Sequence, residues 1–273
     1  MNEVQKNSPS AGRWLKLLLK IIVTAACLWY VSGKIDFAKA GTALKNANWF
    51  YLFLALIAFI ISKLVAAIRL NIYFRNINIH LPASQNIKLY WLGMFYNLFL
   101  PGSIGGDAYK VILLTKKYKV PYKKTTAAVL LDRISGLSGL VLILAVYGSF
   151  VLKDDLYSAL IITGAILSVV ALYLILKFWL KDFTQSFFPA LLMGVLVQAS
   201  QVVCVYLIMA ALNIPPDANE YIFIFLVSSI VAILPLTIGG LGAREIVFLE
   251  GSKYFGLLQE TSVVISLLFY LIT

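Results

Sequence analysis

From Phe187 to Leu212 the chain runs for 26 residues without one charged side chain, longer than the roughly 20 apolar residues that carry an α-helix across a bilayer. Apolar-dominated runs of similar length, each with one or two charges, lie at Trp14–Val31, from Trp49 to about Leu70, and at about 125–151 and 156–178. A helix satisfies its backbone groups internally, which is what hydrocarbon demands of a spanning segment. Composition excludes a soluble globular protein: 61% of the residues are hydrophobic and 13% charged, against roughly 45–50% and 25% in soluble domains. The prediction is an all-α polytopic membrane protein, a single transmembrane domain over residues 1–273 with about six full spans. The last apolar run, 261–273, is only 13 residues long, and the expectation is a truncated final span.

Two further apolar segments break the pattern. Residues 87–100 stop at Pro101 after about 14 residues, and 221–234 stop at Pro235; both are too short to cross comfortably. Their surroundings are nearly the same sequence. Residues 100–106 read Leu-Pro-Gly-Ser-Ile-Gly-Gly and residues 234–240 read Leu-Pro-Leu-Thr-Ile-Gly-Gly, so five of seven positions are identical. Proline removes a backbone donor and ends a helix, and glycine permits positive φ and close backbone approach. Re-entrant broken-helix hairpins are therefore predicted at about 87–119 and 221–256. Three full spans separate them, so they enter from opposite sides as an inverted pair. Paired Gly/Pro-interrupted segments of this kind point to a transport site at the membrane midplane, although helix kinks used only for packing would need the same residues.

The charge of +11 acts here as a topology signal. With a cytoplasmic N-terminus, 15 of the 23 Lys and Arg residues fall on the cytoplasmic side, Arg69, Lys110 and the basic 116–124 loop among them. Lys34, Lys39, Lys45, Lys153 and Lys253 fall on the other side, and Lys63, Arg133 and Arg244 within the membrane. That bias follows the positive-inside rule and predicts a multi-pass protein of the cell inner membrane. The basic loop suits anionic headgroups, and nucleic acid is not an expected partner. Cys27 and Cys204 lie in apolar runs and His80 is the one histidine, which leaves too few ligands for a His/Cys zinc site. No metal or other cofactor is expected.

Charges beside the repeats mark the candidate site. After the first Gly-Gly come Asp107 and Lys110, three apart and on one helical face; after the second come Arg244 and Glu245. Each glycine pair opens a helix whose amino end favours a phosphate or carboxylate. Asp132-Arg133 lies about eight residues, roughly 12 Å, into its span. Asp132, Arg133, Arg244 and Glu245 would together cost on the order of 10 kcal/mol if unpaired in the membrane, so the expectation is one inward-facing polar cluster. An ion-pair lock between helices is the plainer alternative. Ser135, Gly136, Ser138 and Gly139 read as helix-contact residues.

Three motifs in order then carry a resemblance: Asn97-Leu-Phe-Leu-Pro101-Gly-Ser-Ile-Gly105-Gly106-Asp107, Asp132-Arg133-x-x-Gly136-Leu137, and Pro235-Leu-Thr-Ile-Gly239-Gly240-Leu-Gly-Ala-Arg244-Glu245. Together they resemble the transmembrane domain of the lysylphosphatidylglycerol synthase family, in a stand-alone form without the cytoplasmic aminoacyl transferase domain. The resemblance implies a flippase or lipid-binding transporter for an anionic or aminoacylated phospholipid, and does not extend to the aminoacyl transferase domain; lysyltransferase-type lipid modification stays with the alternative below. The implied substrate-binding set is Asn97, Pro101, Gly105, Gly106, Asp107, Lys110, Asp132, Arg133, Pro235, Gly239, Gly240, Arg244 and Glu245, with no catalytic residue. Membrane phospholipid is the expected partner, with a second copy or a lipid-modifying enzyme as further candidates. A membrane-embedded transferase acting on a lipid phosphate, with Asp107, Asp132 or Glu245 as base or metal ligand, is the alternative chemistry, and a non-catalytic scaffold the third class.

Overall fold

The computed structural model describes residues 11–99, 105–215, 218–234, 237 and 240–273, without the side chains of 11–17, 98 and 99. Pro101, Pro235 and Gly239 lie outside the described residues. All regular structure among the described residues is helical. In chain order the α-helices are α1 (Ala11–Ser32), α2 (Phe37–Lys45), α3 (Trp49–Arg75), α4 (Ala83–Phe99), α5 (Gly105–Tyr118), α6 (Tyr122–Val151), α7 (Asp155–Phe178), α8 (Phe187–Ala211), α9 (Asn219–Ile233), α10 (Ala243–Phe255) and α11 (Gln259–Ile272).

Local chemistry sets many of these boundaries. Asp36, Asn48 and Asp154 each turn a side-chain oxygen onto the first free amides of α2, α3 and α7, at 2.9 Å to Ala38 N, 3.0 Å to Phe50 N and 2.8 Å to Leu156 N, which satisfies donors that the helix itself cannot. Pro121 immediately precedes α6, where its missing N–H has no helical partner to lose. Gly256 closes α10 at φ 67°, the left-handed conformation that glycine adopts without strain.

Four of these elements are long and apolar enough to cross a membrane: α3, α6, α7 and the stretch Lys181–Ala211 that contains α8. The count becomes five if α1 and α2, which meet at 89°, form one broken span. The expected count of about six is thus not reached by length and composition among the described residues, because α11 is a 14-residue helix. At 1.5 Å per residue α3 and α6 extend roughly 40 and 45 Å, beyond the ~30 Å hydrocarbon core.

The long helices form the frame. α3 lies along α8, and α6 packs against α8, α7 and α9. α6 and α8 touch through glycine: a Cβ on Gly139 would stand 2.5 Å from the Gly194 carbonyl carbon, and one on Gly194 2.6 Å from the Ser135 carbonyl oxygen. Such contacts exploit van der Waals packing where the hydrophobic effect gives no drive between helices. Against this frame sit two pairs of shorter helices, α4 with α5 and α9 with α10. The first repeated Gly-Gly opens α5 itself, and the second falls in the sequence between α9 and α10.

Candidate functional site

Arg69 and Asp132 connect the two longest helices. The Arg69 Nε donates to Asp132 Oδ1 at 2.8 Å, with side chains only 6% and 10% exposed. Arg69 has room because residue 136 is glycine; a Cβ there would lie 3.0 Å from both terminal guanidinium nitrogens. One of those nitrogens, Nη1, is buried with no hydrogen-bond partner. Arg69 is therefore interior, and the expectation that placed it at the cytoplasmic surface is corrected: a long cationic side chain near the end of an apolar helix is drawn inward when a buried carboxylate awaits it.

A second step joins α5 to the same network. Asp107, in the first turn of α5, accepts from Lys110 Nζ at 3.2 Å and from Arg133 Nε of α6. Its position also meets the positive end of the helix dipole. Lys110 is 4% exposed, so it too leaves the cytoplasmic count. Its ammonium lies 4.9 Å from the centre of the Tyr90 ring on α4. Gly93 makes the space, since a Cβ there would come 2.2 Å from Lys110 Cε. Arg133 is the open end of this chain of charges, with its side chain 41% exposed.

The expected role of Gly106 changes. It lies inside α5 with an ordinary helical φ, and a Cβ on it would stand 1.8 Å from the Gly93 carbonyl oxygen. Glycine is needed there for the close crossing of α4 and α5 rather than for positive φ. Its N–H donates to Asn97 Oδ1 at 2.9 Å, so an amide at the start of α5 is already engaged. Gly105 is the first residue of the same helix.

Around the second repeat the chemistry differs. Gly240 and Gly242 both adopt φ 84°, where a side chain would be strained. Glu245, 1% exposed, turns back so that Oε2 accepts from Gly242 N at 2.6 Å, and Oε1 accepts from the Ser266 hydroxyl of α11 at 2.8 Å. This is the acidic half of a capping box. Arg244 beside it points elsewhere: its guanidinium carbon lies 5.0 Å from the centre of the Phe269 ring, and Nη1 is buried without a hydrogen-bond partner. Across from it Lys63 of α3 lies 4.4 Å from the centre of the Phe59 ring. No ion pair is formed by Lys63 or Arg244 among the described residues.

The expected single cluster of Asp132, Arg133, Arg244 and Glu245 is thus two groups. Asn97, Gly106, Asp107, Lys110, Asp132 and Arg133 come together on α4, α5 and α6, while Gly240, Arg244 and Glu245 gather at the start of α10. No hydrogen bond or ion pair joins the groups directly among the described residues. α3 bridges them, carrying Arg69 to the first and Lys63 to the second, and Lys63 is close enough to both Arg69 and Arg244 to feel their charge. Arg69, Tyr90, Phe59, Phe269 and Ser266 were absent from the expected set. Only Arg69 left a trace in the sequence, because a membrane-buried Asp132 requires a cation from another helix.

An apolar groove of about 400 Å³ runs beside α9 and α10, lined by Phe223, Val227, Val247 and Tyr254 with Glu250 among them. It touches none of the expected site residues.

Comparison with known proteins adds to this geometry. The family described as "Lysylphosphatidylglycerol synthase TM region" matches residues 17–188 and 184–273. The UPF0104 membrane protein PH1989 of Pyrococcus horikoshii is 26% identical over 174 residues, which covers 62% of this chain and 51% of that protein. The chain thus matches about half the length of that relative. The motifs Asp132-Arg133-x-x-Gly136 and Gly239-Gly240-Leu-Gly-Ala-Arg244-Glu245, whose described residues build the two charged groups, lie within the matched segments, and the chain belongs to the lysylphosphatidylglycerol synthase transmembrane-region family.

Proposed function

We propose that this chain translocates or carries an anionic or aminoacylated phospholipid between the leaflets of the cell inner membrane. One observation carries the reading: inside an apolar helical bundle, charged side chains from α3, α5, α6 and α10 occupy buried positions next to two short helix pairs. Buried charge is costly in a membrane and marks substrate pathways by default. Lipid headgroups are the charged molecules that such a pathway meets, and the family to which the chain belongs is named for a lipid synthase. In this reading α4–α5 and α9–α10 are the two re-entrant hairpins, inverted relative to each other, with the Gly/Pro turns near the midplane and the full spans around them. The N-terminus is cytoplasmic; with Arg69 and Lys110 moved to the interior, 13 cationic residues still face the cytoplasm against 5 on the other side.

Reconstitution tests the reading. Purified protein in liposomes carrying a headgroup-labelled phosphatidylglycerol should speed the transfer of label between leaflets, with the lipid chemically unchanged. A new lipid product would replace the reading with transfer chemistry at Asp107, Asp132 or Glu245. Neither exchange nor product would leave a scaffold.

A further inference from the structure

The two charged groups are not equally satisfied. In the first, Arg69 has Asp132, and Lys110 and Arg133 share Asp107. In the second, Lys63 and Arg244 lie against ring faces and make no ion pair among the described residues. The rings themselves are neighbours: Phe59 and Phe269 lie 6.5 Å apart at 84°, edge to face, so each cation lies against one member of a single aromatic pair. A ring face is a weaker partner for a cation than an oxyanion, and two like charges near each other in a poorly screened interior repel.

The carboxylate next to Arg244 offsets this excess only in part, one negative charge against two positive ones. Glu245 spends one oxygen on the Gly242 N–H and the other on the Ser266 hydroxyl, and no ion pair links it to Arg244 among the described residues. The other titratable groups whose charge acts on Lys63 are Arg69, already paired, and the Cys204 thiol. Both Lys63 and Arg244 are half-buried, so the pair is withdrawn from bulk water yet not sealed.

We propose that Lys63 and Arg244 form the seat of a phosphate-type oxyanion, with the Phe59–Phe269 pair as its floor. The guanidinium supplies a planar fork that includes the unpartnered Nη1, and the ammonium supplies a point charge; together they match a phosphate mono- or diester. The inference rests on the lipid-handling reading and names the chemical group that this reading leaves open. It also moves the anion from the backbone amides to side chains, since Gly106 N and Gly242 N are engaged by Asn97 and Glu245.

Thermal unfolding of the purified full chain in uncharged detergent tests the seat with two probes. Inorganic phosphate is compared with chloride at equal ionic strength, and phosphatidylglycerol mixed micelles with diacylglycerol ones. The wild-type midpoint should rise by about 5 °C or more at saturating probe. A response to phosphatidylglycerol alone assigns the seat to a lipid headgroup, and a response to both probes opens it to free phosphate. The Lys63→Met/Arg244→Met double variant should lose at least two-thirds of the rise, and Lys63→Arg should keep it. Without probe, the double variant should still fold, because neither cation removed makes an ion pair among the described residues. Failure of that variant to fold, an undiminished response in it, or no response in the wild type each overturns the proposal. Leaflet exchange on the same preparations separates the two claims. Undiminished exchange by the double variant removes the seat and leaves translocation standing, whereas a variant-sensitive phosphate response without wild-type exchange does the reverse.

Discussion

The two repeats lead into helices that handle charge in opposite ways. After the first Gly-Gly, Asp107 ties α5 to Arg133 of α6, while Asp132 of α6 ties back to Arg69 of α3; every cation there has a carboxylate. After the second, the one carboxylate serves the helix end and α11, and Arg244 is left against a ring. A near-identical turn sequence therefore does not carry a duplicated site. The first copy holds three helices in register, and the second leaves positive charge available. The contrast is also one of glycine use: Gly106 brings two helices into contact, whereas Gly240 and Gly242 take the positive φ of a turn.

The largest effect should come from opening the first region. Asp132→Asn leaves the Arg69 charge buried without its partner, which costs about 3–5 kcal/mol when nothing replaces it. Thermal unfolding in detergent should show a strongly lowered midpoint, and Arg69→Met with Asp132→Leu should recover most of it. If Asp132→Asn melts like wild type, the two regions are not different in kind.

Next comes the helix crossing. Gly106→Val places a branched side chain where even a Cβ would overlap the Gly93 carbonyl, and overpacking of this sort costs roughly 1–3 kcal/mol or more. Gly164→Ala, with open space around it, should be neutral or slightly stabilising in the same melt, as expected of an exposed helical glycine. Folded yield of Gly106→Val should therefore fall before any loss of exchange per folded molecule.

A smaller effect is expected at the rim. Arg133→Gln removes an ion pair whose cation is 41% exposed, and solvent screening limits the loss to about 1 kcal/mol or less. The resulting fall in midpoint should shrink further when salt is raised. The smallest is outside both regions: Lys39→Ala breaks exposed contacts to Asp36 and Glu260 at 4.0 and 3.6 Å, and should shift the midpoint within about 0.5 kcal/mol.

Much of the frame was legible in the sequence. Runs such as Phe187–Leu212 leave a chain few options in lipid, and the prolines at 101 and 235 mark where two short helices stop. The pairing of Asp107 with Lys110 was readable too, because a spacing of three places both on one helical face. Arg69 was legible only as a need for some cation opposite Asp132; which one was not, since its carboxylate is 63 residues away on another helix and a cation near a helix end reads equally well as a surface anchor. The ring partners of Lys63 and Arg244 left no signal at all. With 17 Phe and 15 Tyr in the chain, nothing local distinguishes Phe59 or Phe269 from rings that face lipid. At Gly106 both readings stayed open for a related reason: a glycine needed for positive φ and one needed for a helix crossing look alike until the crossing is known.

The central claim is that charge is locked in the first region and left available for an anion in the second. A cryo-electron microscopy map of the protein in phosphatidylglycerol nanodiscs tests it most directly. Phosphate density is expected within hydrogen-bonding distance of both the Lys63 ammonium and the Arg244 guanidinium, with Arg69–Asp132 and Asp107–Lys110 still paired. Phosphate density seated instead on Lys110 or Arg133, with Lys63 and Arg244 against their rings and nothing between them, would contradict it.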